Sequence, residues 1–210
     1  MIENITVNDQ SSIRISGEQI IYFDPYNIKS ETHDADVIFF THSHYDHFSP
    51  TDFKKVANEN TSYVAPIDME KDIKKAGIPT NKIITMKPGE KGRILDMDVE
   101  AVPSYNLMKP FHLKKNGWLG YVVTVDDTRI YVCGDMDATS EGKSVKCDIV
   151  LVPIGGKFTM NVKEAAAFVN EMKPKIAIPT HYGSIVGKKE DGQEFARLVD
   201  SNIQVVIKLL

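Results

Sequence analysis

Cysteine is nearly missing from this chain: Cys133 and Cys147 are the only two among 210 residues. Two thiols without C-x-x-C spacing cannot build a cysteine-based zinc site, and a disulfide scaffold needs more of them. The N-terminal stretch MIENITVNDQ has neither a basic head nor an apolar middle, so no export signal is read there. Free thiols without export lead to the expectation of a cytoplasmic protein. Long hydrophobic runs are missing as well. The longest, Val37–Phe40, Asp148–Ile154 and Ile203–Ile207, fall far short of the roughly 18–20 residues of a membrane helix, so no membrane span is expected. Basic charge is not in excess: 25 Lys and Arg stand against 29 Asp and Glu, a net charge of −4. That balance disfavours stable nucleic-acid binding through bulk charge. No linker, low-complexity tract or short-period repeat interrupts the chain.

What is present is a globular composition, 42% hydrophobic and 26% charged, at a length that suits one domain. A chain of this size buries roughly 70% of its extended surface on folding, enough for a full core. Short β-branched segments bounded by turn residues predict strands over Ile2–Val7, Ile13–Ser16 and Gln19–Phe23, the last closed by Asp24-Pro25-Tyr26. Val37–Phe40 is wholly apolar and predicts a strand buried on both faces. Ser49-Pro50-Thr51-Asp52 predicts a helix start, with Ser49 as cap and Pro50 in the first turn. Strands follow at Ser62–Ala65, Ile83–Met86 and Arg93–Val102, with a short helix over Asp68–Ala76 ended by Gly77. A loop over 104–117 leads into a hairpin of Trp118–Val125 and Arg129–Val132. Ile149–Ile154, Ile176–Pro179 and Ile203–Ile207 complete the strands. Between them lie a helix from Asn161 (a capping box with Glu164) to Pro174 and another from near Asp191. Strands followed by βαβ-like alternation occur twice, which predicts an α/β domain of two sheets with helices outside.

The chemistry concentrates in Thr41-His42-Ser43-His44-Tyr45-Asp46-His47. Half of the chain's six histidines fall in this H-x-H-x-D-H run. Imidazole and carboxylate are the ligands that borderline metals such as Zn²⁺ take in hydrolytic sites. In extended backbone, residues i and i+2 point the same way, so His42 and His44 can grip one ion, while Asp46 and His47, past a bend, can grip a second. The run leaves the C-terminal end of the strand Val37–Phe40. Two other apolar strands end the same way, Arg129–Val132 running into Cys133-Gly134-Asp135 and Ile176–Pro179 into Thr180-His181. A fourth, Ile149–Ile154, ends in Gly155-Gly156, where backbone can approach a ligand closely. Sites in α/β sheets form beyond such strand ends. His33 and Asp34 read as ordinary surface or hydrogen-bonded core residues, Cys133 as packing, and Asp137 as a turn or supporting residue.

These residues resemble a known family. THSHYDHFSP, YVCGDMD, VPIGGKFTM and IPTHYG stand in the order and spacing of metallo-β-lactamase fold metal-dependent hydrolases. Within these the sequence is most similar to the short, single-domain branch that contains the L-ascorbate-6-phosphate lactonases. The resemblance covers nearly the whole chain. It implies a single hydrolase domain over 1–210, built as a four-layer αββα sandwich with the site along one edge of the sheets. By the resemblance His42 and His44 hold one metal; Asp46, His47 and His181 hold a second; Asp135 bridges the two. Two Zn²⁺ per chain are expected, with Mn²⁺ as an alternative. The family's third histidine for the first metal is missing at Pro103-Ser104-Tyr105-Asn106. Either His112, the one histidine between His47 and His181, takes its place, or Asn106 or a water does. Members that handle oxygen with iron tend to carry Glu where this chain has His44, so hydrolysis is implied.

A metal-bound hydroxide would then attack an ester, lactone or phosphoester, with Asp46 or Asp135 orienting the water and carrying its proton. Tyr182 either donates to the oxyanion or only packs beside the site. Asn106, His112 and Lys157 are candidate substrate contacts. Lys109, Lys114, Lys115 and Lys157 come from loops that would suit a small anionic substrate. Two other readings remain: a phosphodiesterase acting on nucleic acid or phospholipid, and a non-catalytic metal-binding scaffold. A homo-oligomer is an expectation from the resemblance alone.

Overall fold

In the computed structural model, which describes residues 1–209, thirteen strands form two sheets. Leu210, the last position of the expected 1–210 domain, lies outside the described residues. The first sheet runs β1 (Ile5–Val7), β2 (Ile13–Ser16), β3 (Ile20–Phe23), β4 (Ala35–Phe39), β5 (Ala57–Pro66) and β6 (Ile83–Met86), each beside the next. The second runs β7 (Lys91–Ile94), β8 (Met97–Pro103), β9 (Leu119–Val125), β10 (Thr128–Val132), β11 (Ile149–Pro153), β12 (Ile176–Thr180) and β13 (Gln204–Val205). Each sheet opens with antiparallel hairpins and continues as parallel strands, from β3 onward in one and from β10 onward in the other. The parallel halves need crossovers, and helices supply most of them. These are α1 (Pro50–Val56), α2 (Glu70–Lys75), α3 (Ser140–Ser144), α4 (Val162–Met172) and α5 (Asp191–Leu198). The twofold pattern expected from sequence is therefore present.

The strand period of two sorts the core into three layers. On β4, Val37 and Phe39 point between the sheets, while Ile38, and Phe40 just past the strand's end, point to Phe53 of α1 and Ile73 of α2. On β11, Ile149 and Leu151 face the first sheet, while Val150 and Val152 meet Phe168 and Val169 of α4 and Phe195 of α5. Apolar contact on both faces of both sheets is the physical content of an αββα sandwich. Phe23 and Phe39 stack at 4.8 Å, with Tyr121 of the other sheet edge-on to Phe39 at 5.1 Å. The Tyr121 hydroxyl donates to the Phe40 carbonyl at 2.9 Å, which ties the sheets together just below the histidine run.

Capping behaves as the sequence predicts. Ser49 accepts from the Asp52 N–H with Pro50 in the first turn, and Asn161 and Glu164 form the reciprocal box of α4. The structure also departs from expectation. Arg93–Val102 is not one strand: the chain turns at Leu95 (φ 51°) and Asp96, making the β7–β8 hairpin. Ile2–Asn4 is a 3₁₀ turn, so β1 starts at Ile5. The last strand shrinks to Gln204–Val205, and β5 extends to Ala57–Pro66. The unforeseen α3 has only five residues, too short for a periodic signal, and starts at Thr139, whose hydroxyl accepts from the Gly142 N–H.

Candidate metal centre

Four segments converge beyond the C-terminal ends of β4, β8, β10 and β12. The segment after β4 brings His42, His44, Asp46 and His47; all are buried except His44, which is half-buried. Asp135 follows β10 and His181 follows β12, and both are buried. His112 comes from the 104–117 loop and is buried as well.

Asp135 sits at the centre. Its Oδ2 lies 3.2 Å from His112 Nε2, 3.2 Å from His181 Nε2 and 4.0 Å from His42 Nε2. Its Oδ1 lies 3.3 Å from His47 Nε2. Asp46 Oδ2 is 3.4 Å from His181 Nε2 and 3.7 Å from His47 Nε2. Three sets of ligand atoms each fall within a 4.8 Å span: His42, His44, His112; His42, His47, Asp135; and Asp46, His47, His181. The Nε2 atoms of His47, His112 and His181 and the Oδ1 of Asp135 are buried, yet none makes a hydrogen bond. Buried polar atoms in native proteins are almost always satisfied. Four orphans aimed at one another are what a divalent cation would satisfy, and the nitrogen–oxygen donor set is the one zinc takes.

The surroundings hold each ligand in place. Asp24, fully buried after β3, accepts the Thr41 N–H at 2.8 Å and the Thr41 hydroxyl at 2.6 Å. Its Oδ2 also meets His47 Nδ1 at 2.7 Å, leaving Nε2 turned inward. Sequence reasoning passed over Asp24 as a strand terminator. The available signal was its place at the C-terminal end of β3, the strand beside β4. His181 and His112 both adopt left-handed backbone, at φ 56° and 53°. Such conformations in non-glycine residues are strained and gather at functional sites. The His181 N–H donates to the Gln10 carbonyl at 3.0 Å. A Cβ at Gly155 would stand 2.3 Å from the His181 carbonyl oxygen, so only glycine fits beneath that turn. His112 is set by loop closure: the Asn106 N–H donates to the His112 carbonyl at 2.7 Å, and Asn106 Nδ2 lies 3.3 Å from His112 Nδ1. The lone Trp118 packs on His42, His44 and His112 with ring centroids 4.7, 4.9 and 5.4 Å away.

Electrostatics follow from this burial. Burial, and then the charge of His47, hold the His42 imidazole well below its ordinary pKa, so it stays neutral. Burial and neighbouring His112 lower His44. Burial also disfavours charge on His47, but the carboxylates of Asp135 and Asp24 outweigh it and push it up to about 9. Burial alone would raise Asp135; His181 and His47 overturn that and keep it well below the usual carboxylate range. Asp46 is lowered in the same way by His181 and His47 against the burial penalty. Asp24 is raised, with burial the largest cause.

A cavity of about 240 Å³ opens over the cluster, lined by His44, Tyr45, Asp46, Phe111, His112, Asp135, Phe158, His181 and Ile185. Several sequence candidates are placed elsewhere. Tyr182 is buried with its ring against Gly192 of α5 and lines a separate surface cavity with Asn8, Asp9 and Ser184; it does not line the metal cavity. Asn106 turns its amide to the carbonyls of Phe158 (2.7 Å) and Phe111 (3.1 Å), so it positions the wall and does not reach the cavity. Lys157 places its ammonium 5.0 Å from the Phe158 ring centroid and does not line the cavity. Lys109 pairs with Asp137, and Lys114 pairs with Glu141. Asp137 also accepts the Leu107 N–H at 3.0 Å, the supporting role expected of it. None of the four loop lysines lines the cavity.

Fold and site together define a metal-dependent hydrolase of the metallo-β-lactamase fold. The model of the beta-lactamase superfamily domain matches residues 4–181, and the chain belongs to that family. A UPF0173 metal-dependent hydrolase of Staphylothermus marinus is 33% identical over 181 residues, covering 83% of this chain and 75% of its own. One from Pyrococcus furiosus is 31% identical over 92% of this chain and 85% of its own. Among solved structures, a protein of Parabacteroides distasonis described as a metal-dependent hydrolase superposes with a TM-score of 0.81 at 30% identity, covering 98% of this chain and 93% of the other. No helix among the described residues is long and apolar enough to cross a membrane.

Proposed function

We propose that the protein hydrolyses an ester, lactone or phosphoester of a small molecule with two divalent ions, zinc foremost. The observation that carries this reading is the set of buried, unpartnered imidazole and carboxylate atoms around Asp135. His42, His44 and His112 would hold one ion; Asp46, His47 and His181 would hold the other; Asp135, within 4.0 Å of nitrogens from both groups, would serve both. When bound, such ions acidify a water and polarise a carbonyl or phosphoryl oxygen. Asp46 lines the cavity as an ionised carboxylate, ready to orient the water and accept its proton. Asp135, deeper and also ionised, holds the histidines around one centre. An aromatic wall of Tyr45, Phe111 and Phe158 stands above them. Hydrolysis adds the water's oxygen to the acyl carbon or phosphorus, breaks the bond to the leaving oxygen, and returns a proton to that oxygen.

The test is metal content by mass spectrometry beside His112→Ala. About two ions per chain falling to about one in the variant, with loss of turnover on an ester and phosphodiester panel, supports the reading. One ion or fewer in both proteins overturns it.

A further inference from the structure

No lysine or arginine lines the cavity above the metal cluster. Its floor is made of His44, Asp46, His112, Asp135 and His181, and its wall of Tyr45, Phe111, Phe158 and Ile185. Phe111 and Phe158 meet edge to face at 5.0 Å, although 47 residues separate them (158 − 111). One amide joins them: Asn106 Nδ2 donates to both their carbonyls while lying 3.3 Å from His112 Nδ1. The aromatic wall is thus built on the same clamp that holds a metal ligand. The apolar character continues past the mouth, where Tyr45 is 64%, Phe111 43% and Ile185 37% exposed. The nearby lysines do not offset it, because Lys109 and Lys114 are paired with carboxylates and Lys157 lies against Phe158. The part of a substrate that reaches past the floor would meet aromatic and aliphatic side chains, with no lysine or arginine among the lining residues. A volume of about 240 Å³ lies just below the range of about 300–1,000 Å³ usual for small-molecule sites, which suits a short group.

We propose that the site selects a substrate whose acyl group is short, uncharged and apolar, an aliphatic chain of about four carbons, seated between the Phe111–Phe158 pair and Ile185. This rests on the hydrolytic reading and narrows it; it replaces the small anionic substrate expected from the lysines. Phe111 and Phe158 are the specificity-determining residues, and Asn106 is a positioning residue behind them.

The experiment uses the metal-loaded full chain and two readouts. Turnover is measured on p-nitrophenyl acetate, p-nitrophenyl butyrate and the similarly long but anionic p-nitrophenyl 3-sulfopropionate. Binding is measured by calorimetric titration with butyranilide and its sulfonate counterpart, 3-sulfopropionanilide. Burying a methylene raises kcat/KM by about fourfold, so butyrate should exceed acetate by up to about 15-fold. Butyrate should exceed the sulfonate ester by at least tenfold. Phe158→Ala should reduce the butyrate preference several-fold, mainly through KM, and Phe158→Leu should recover most of it, which separates a lost wall from a lost fold. Equal or better turnover or binding of the sulfonates overturns the proposal while leaving hydrolysis standing. Preferential binding of butyranilide without turnover of any ester upholds the selectivity and overturns the hydrolytic reading.

Discussion

Asp24 and His47 meet at 2.7 Å with both side chains wholly removed from solvent, 23 residues apart in sequence and on neighbouring strand ends. The pair fixes the His47 ring, turns Nε2 toward Asp135, and gives the Thr41 backbone its partner. Carboxylates behind metal-binding histidines commonly hold the ring's orientation, and their loss costs about 10–100-fold in metal affinity. Asp24→Ala would leave the Thr41 N–H without a buried partner, and would leave the Thr41 hydroxyl and His47 Nδ1 with only the longer contacts to His42 Nδ1 (3.0 Å) and to each other (3.4 Å). At about 1–3 kcal/mol for a buried group left unpaired, stability should fall by about that amount or somewhat more. Urea unfolding of the metal-free protein and competition titration with a zinc chelator check the two effects separately. Wild-type-like zinc affinity in a folded Asp24→Ala protein would remove Asp24 from the support of the centre.

His47 gives the metal-free protein a defined pH response. Its folded pKa, about 9, lies above the ordinary value near 6.5, because Asp135 and Asp24 outweigh burial. A raised pKa stabilises the fold fully below about pH 6.5, and the contribution drains away as pH rises to about 9. The span corresponds to roughly 3 kcal/mol. Metal-free protein should therefore lose thermal stability between pH 6.5 and 9. Zinc ligation requires a deprotonated ring, so zinc added at pH 7.5 should release a proton that an indicator dye detects in weak buffer. His47→Gln should abolish that part of the release. An unchanged proton count would show that His47 is neutral before the metal arrives.

Much of this architecture is legible from local signals. Strand ends that run into His42, Asp135 and His181 mark the site because sheet and ligands belong to the same short segments. The Asn161–Glu164 box marks α4 because both partners lie within one turn. What escaped depends on distance in the chain or on unfavourable backbone. Asp24 reads as a turn until β3 is placed beside β4. Loop 104–117 contains His112, but only the closure from Asn106 aims it. Lysines look free until Asp137 and Glu141 arrive from beyond β10. Leu95 takes a positive φ that a branched apolar residue rarely adopts, which hid the β7–β8 turn inside an apparent strand.

Both cysteines should be slow to react. Burial pushes the Cys147 thiol up to about 12 and holds Cys133 well above its usual range. The thiolate is the reactive species, so at pH 8 only a minute fraction is available. Folded protein should give almost no colour with Ellman's reagent over minutes and two equivalents after unfolding. Removing the metal should not change the first result, because neither thiol belongs to the cluster. Rapid labelling of one thiol in folded, metal-loaded protein would contradict the burial.

Trp118 makes metal arrival visible without a label. It is the single tryptophan, and its ring lies within 5.4 Å of the rings of His42, His44 and His112. A paramagnetic ion seated among those three histidines quenches an indole at that range by contact-distance relaxation. Cobalt(II) added to metal-free protein should therefore quench most of the emission, and excess zinc should compete with it. In His112→Ala the group loses one of its three nitrogens, so the quench should require at least tenfold more cobalt. Replacing His181 acts on the other group and should leave the concentration dependence of the quench nearly unchanged. Equal sensitivity to both substitutions would mean that the two groups of ligands fill as one unit through Asp135, and the separate assignment of His42, His44 and His112 would fall.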